Sequence, residues 1–61
     1  MNNTVEFTGP EGGRVVLDPI YVVAVREDSS DRYPGVRISL IGGHTLVVQE
    51  SFDEVLSKLN L

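Results

Sequence analysis

Apolar residues in this chain fall into short runs separated by turn-forming residues, and the spacing inside those runs changes once, near Ser51. Val36 to Ile41 (VRISLI) and His44 to Gln49 (HTLVVQ) are rich in β-branched residues and flank Gly42-Gly43. Two glycines supply the positive φ angles of a tight hairpin turn, so this segment predicts a β-hairpin. Beyond it, Phe52, Val55, Leu56 and Leu59 recur at helical spacing, and Glu54 lies three residues after Ser51 as in a capping box. A helix beginning at Ser51 or Phe52 is expected. Asp53 and Glu54 fall in its first turn and Lys58 near its end, each where the helix macrodipole favours that charge.

Upstream, Thr4 to Thr8 (TVEFT) reads as a first strand, Gly9-Pro10-Glu11-Gly12-Gly13 as a turn, and Arg14 to Leu17 as a second strand. Asp18-Pro19 bends the chain before a third strand from Ile20 to about Arg26, and Glu27 to Gly35 forms the longest polar interval. The expected architecture is a single α+β domain over residues 1–61, ordered β-β-β-β-β-α. It is a small antiparallel β-sheet of about five strands with one short C-terminal amphipathic helix. A sheet with one wet face should alternate apolar and polar residues. Ile20 to Val25 (IYVVAV) does not, and Val15, Val16 and Leu17 are likewise continuous. A helix of roughly two turns covers only part of one sheet face. The other face is therefore a candidate intersubunit surface, the alternative being a strongly curved sheet that closes over its own core.

Length sharpens that choice. With 61 residues, the chain has one small core, and a domain of this size buries only about 60% of its unfolded surface. Small domains are commonly supplemented by disulfides, a structural metal or association. There is no cysteine and a single histidine, His44, which excludes disulfides and argues against a zinc site made by one chain. Association remains, and a homo-oligomer is expected. The formal charge is −4, from nine acidic and five basic residues, which disfavours general nucleic-acid binding. No signal peptide, membrane span or lipidation motif is visible, so a cytoplasmic protein without membrane attachment is expected.

The Ile38-Ser39-Leu40 strand, Gly42-Gly43, Leu46-Val47-Val48 and the segment Glu50-Ser51-Phe52-Asp53-Glu54-Val55 together form a recognisable pattern. With the Val16-Leu17-Asp18-Pro19-Ile20 stretch, it resembles small bacterial proteins of the flagellar FlbD or swarming-motility type, and similar short proteins of phage and prophage genomes. The likeness covers most of the chain. It implies a small β-rich protein with a C-terminal helix and carries over no catalytic residue.

Chemistry-bearing residues are few. His44 follows the glycine turn, where a solvated hairpin residue is the expectation. Glu27, Asp28 and Asp31 lack the D-x-D-x-D-G spacing of a calcium loop and read as a solvated turn. Ser29, Ser30 and Ser39 have no histidine and acid at a recognisable spacing, so no enzyme is expected and no cofactor is implied. Arg26, Arg32, Tyr33 and Arg37 flank the polar loop on both sides. If the strands on either side of it pair, Arg26 and Arg37 approach, and like charges on neighbouring strands call for an acid or anion between them. Glu27, Asp28 and Asp31 are one source of that partner. The other is a bound anionic small molecule such as a nucleotide, with guanidinium groups for its phosphates and Tyr33 for stacking. The Gly9 to Gly13 turn offers backbone N–H donors to the same kind of ligand. Taken together, these residues point to a non-catalytic homo-oligomeric binding or interaction module. The alternatives are an oligomer that sequesters a nucleotide signal of host defence and a flagellar or transcriptional adaptor with a protein partner.

Overall fold

Five antiparallel strands divide between two sheets, and one helix closes the chain. The computed structural model describes residues 3–28 and 35–61. Strands β1 (Val5–Thr8) and β2 (Arg14–Leu17) form a two-stranded hairpin, and β3 (Val22–Asp28), β4 (Gly35–Leu40) and β5 (His44–Val48) form a meander ordered β3-β4-β5. Helix α1 spans Phe52–Lys58. The fold class is the expected one, but the sheet is not continuous.

The break lies at Asp18-Pro19, where the chain makes a short 3-10 turn over Pro19–Tyr21 instead of entering β3 at Ile20. Asp18 causes it. Its carboxylate accepts the Ile20 N–H at 3.1 Å, its carbonyl accepts the Tyr21 N–H at 3.0 Å, and Pro19 brings a φ suited to the first turn position. Ile20 and Tyr21 are therefore withdrawn from the strand. At its other end β3 runs further than the apolar run suggests, with Glu27 opposite Val36 and Asp28 opposite Gly35.

Alternation places the core. Val36 and Ile38 of β4 face the same side as Leu46 and Val48 of β5 and Val25 of β3. That side is covered by α1 through Val55 and Leu59 and by the β1-β2 hairpin through Phe7 and Leu17. Phe7, Val36, Ile38, Val48 and Val55 are almost wholly enclosed. Val16, read in sequence as part of a continuous apolar run, points outward and is half exposed. The hairpin strands alternate after all.

The three-residue connection Ile41-Gly42-Gly43 between β4 and β5 holds both glycines at positive φ, 89° and 85°, a region other residues rarely occupy. Ser51 caps α1, its Oγ accepting the Glu54 N–H at 3.2 Å. The Glu54 carboxylate returns to the Ser51 hydroxyl at 3.4 Å rather than to its amide, so the box is half of the reciprocal form. At the other end Asn60 adopts φ 63°. Leu61 N–H then reaches Leu56 O at 2.9 Å and Asn60 N–H reaches Ser57 O at 3.1 Å, the double closure of a Schellman turn.

A free strand edge beside an apolar groove

The candidate arginines converge only in part. Arg26 and Arg37 are register partners across β3 and β4. Both sit on the sheet face opposite the helix, in a row with Ala24, Ser39, Thr45 and Val47. Arg26 is exposed, whereas Arg37 is half-buried and already engaged in an interaction. Arg32, Tyr33, Asp31, Ser29 and Ser30 lie outside the described residues. Glu27 shares the opposite face with Val25, so it does not stand between the two guanidinium groups. This open face is mixed in character, carrying two arginines and two hydroxyl side chains beside Ala24 and Val47, with the Asp28-Gly35 register pair at its end.

Much of the apolar exposure lies elsewhere, around the start of β3. Ile20, Val23, Ile41 and Leu61 are 74%, 68%, 64% and 76% exposed, and Tyr21 is half exposed. They adjoin one another: Ile41 N–H donates to Tyr21 O at 2.9 Å, and Val23 and Leu61 line the same groove. That groove, about 290 Å³, runs between β3 and the C-terminal end of α1 and is lined chiefly by Val22, Val23, Val25, Leu56, Leu59 and Leu61. Two backbone irregularities build it. A bulge between Val22 and Ala24 leaves Val23 without a partner on β4 and so turns it outward. The left-handed Asn60 folds Leu61 back beside Leu56, the apolar contact that commonly accompanies this turn. β3 has β4 on one side and, among the described residues, no strand on the other.

The opposite side of the molecule is closed by polar bonds. Glu50, just after β5, accepts the Thr8 N–H at 2.9 and 3.1 Å and the Thr8 hydroxyl at 3.0 Å. Gln49 N–H donates to Thr8 O at 2.8 Å. Lys58 donates to Glu6 O at 2.8 Å, stands 3.9 Å from Glu50 and lies 5.3 Å over the Phe7 ring. Burial pushes the Glu50 carboxyl up, but the bonds from Thr8, its own amide and the Lys58 charge outweigh it and hold the pKa below the usual carboxylate value. Glu50 and Ser51 of the E-S-x-x-E-V segment thus have structural work: one bolts the hairpin to the sheet, the other starts the helix.

A second recess, about 450 Å³, is lined by Asn3, Thr4, Asp18, Ile20, Lys58 and Asn60 among others. Lys58 is held in the bolt just described. His44 is exposed at the start of β5, opposite Leu40. Among the described residues no three His, Cys, Asp or Glu side chains are placed to share a metal ion, and no helix is long and apolar enough to cross a membrane.

Val23 and Leu61 were not singled out by sequence reasoning as site residues. A hydrophobic residue directly after Asn60 is a usable signal for the Schellman contact, but nothing in VVAV marks which valine is the bulge. The fold and groove define a small two-sheet α+β protein whose β3 edge is open beside an apolar groove. Comparison with family models, with curated proteins and with solved structures gives no significant match. The likeness to the flagellar group therefore rests on its residues alone.

Proposed function

We propose that this protein is a non-catalytic interaction module that works as a homo-oligomer, using the β3 edge and its groove as the contact surface. The observation that carries the reading is the exposure of Val23 and Leu61 in the groove beside the unpaired strand β3, with Ile20 and Tyr21 exposed in the turn that leads into it. Large contiguous apolar patches on soluble proteins mark contact sites, and an open strand edge is a template for pairing. Only seven hydrophobic side chains are buried among the described residues, which leaves a domain of this size short of core. Sedimentation equilibrium or native mass spectrometry over a range of concentrations tests it. An assembly that dissociates when Val23 and Leu61 are both changed to serine is expected; a monomer at every concentration overturns it.

A second reading rests on the direct opposition of Arg26 and Arg37. Two arginines in register on an open face are the residue type suited to an anionic ligand such as a nucleotide phosphate. On this reading the oligomer sequesters a nucleotide. Native spectra of protein isolated from cells should then show an added mass that Arg26→Ala removes while assembly persists. No retained mass from a broad nucleotide panel rejects it.

A further inference from the structure

We infer that the partner at the β3 edge is a second copy of this chain, joined by antiparallel β3-to-β3 pairing about a two-fold axis at Val25, so that two three-stranded meanders become one continuous sheet. The inference rests on the reading of the edge as a self-association surface and goes on to specify the mode. An isologous pair places the same patch on both subunits, and an open strand satisfies its outward N–H and C=O groups by adding a strand. β3 has no proline and no lysine, two of the devices that keep free edges from pairing, and its bulge lies at one end of the strand, before Ala24.

Symmetry limits the register. A two-fold axis perpendicular to the sheet keeps each face on its own side, so the residue on the axis stands opposite its own copy. An axis at Arg26 sets two arginines face to face, beside Arg37 of the same sheet face, and an axis at Glu27 sets two carboxylates together. Like charges directly opposite are destabilising. An axis at Val25 avoids both and pairs the strand from Val23 to Glu27, beyond which the bulge breaks the alternation, whereas an axis at Ala24 shortens the ladder further. With Val25 on the axis, Ala24 stands opposite Arg26 of the second copy and Val23 opposite its Glu27. The copy's Val25 then comes over the groove between Val25, Leu56 and Leu59.

The chain has no cysteine, so single-cysteine variants read the register directly. Residues opposite each other in an antiparallel ladder lie about 5 Å apart, inside disulfide range, while Val23 or Glu27 and its own copy are about 14 Å apart in this register. Mild oxidation of Val25→Cys should convert most of the chain to covalent dimer; Val23→Cys and Glu27→Cys should give only traces. Because Val25 is half-buried, a mixture of Ala24→Cys and Arg26→Cys, both at exposed positions, serves as an independent probe. It should crosslink as the heterodimer and much less as either variant alone. An oligomer that gives neither crosslink, or that crosslinks best at Val23 or Glu27, overturns this pairing and leaves self-association standing. A monomer throughout overturns both.

Discussion

The two flanks of the meander meet the same problem with opposite solutions. On the β5 side, Gln49, Glu50 and Lys58 reach across to Thr8, Glu6 and Phe7, so the segment that leaves that strand is tied to the β1-β2 hairpin. On the β3 side nothing comparable is built. The strand bulges, an apolar groove opens beside it, and large hydrophobic side chains stand in solvent. A single short helix packs against β3 and β4 and leaves the β3 edge open among the described residues. Mutations on the closed flank should therefore cost folding stability, while mutations on the open flank should cost association and little else.

The largest expected loss comes from Phe7→Ala. Phe7 is 1% exposed and links the hairpin to the core, and removing a buried aromatic costs about 4 kcal/mol. Urea denaturation should show the variant largely unfolded. Glu50→Ala comes next, at about 2 kcal/mol, because the Thr8 amide loses a charged acceptor. Acid probes the same residue. A carboxylate held below its usual pKa stabilises the fold above that usual value, about 4.3, and the contribution is lost as pH falls through the lower folded-state value. The urea midpoint should be level near neutrality and drop below roughly pH 4, with a shallower drop in Glu50→Gln.

Ser51→Ala removes the helix cap and should cost about 1 kcal/mol, seen as a shifted urea midpoint with an unchanged slope. The smallest stability effect belongs to Val23→Ser with Leu61→Ser, less than about 0.5 kcal/mol each at exposed positions. Measured in dilute solution, the double variant should unfold like the parent monomer while its association constant falls. If it instead loses as much stability as Glu50→Ala, the β3 flank belongs to the folding core and the contrast between the flanks fails.

Several elements are legible from residue order alone. The Gly42-Gly43 turn, the flanking strands and the Ser51 cap are set by local backbone preference, which neighbours in sequence supply without help from distant contacts. The two-sheet split has a local cause too, since Asp18 and Pro19 draw Ile20 and Tyr21 into a turn, but the run IYVVAV masks it because periodicity cannot separate a buried strand from an apolar turn. The candidate arginines show the limit in another way. Their sequence separation makes pairing across the polar interval thinkable, yet only the register sets Arg26 opposite Arg37 and turns Glu27 to the other face.

What the sequence determined by itself is the α+β class, the order of elements and the ends of the helix, because these follow from interactions between residues a few positions apart. Tertiary structure alone decided that Thr8 would meet Glu50, that Val23 would be the bulged residue, and that Val23 and Leu61 would meet in one groove. Each depends on which strand lies beside which, and one position of register sends a side chain to the other face of the sheet.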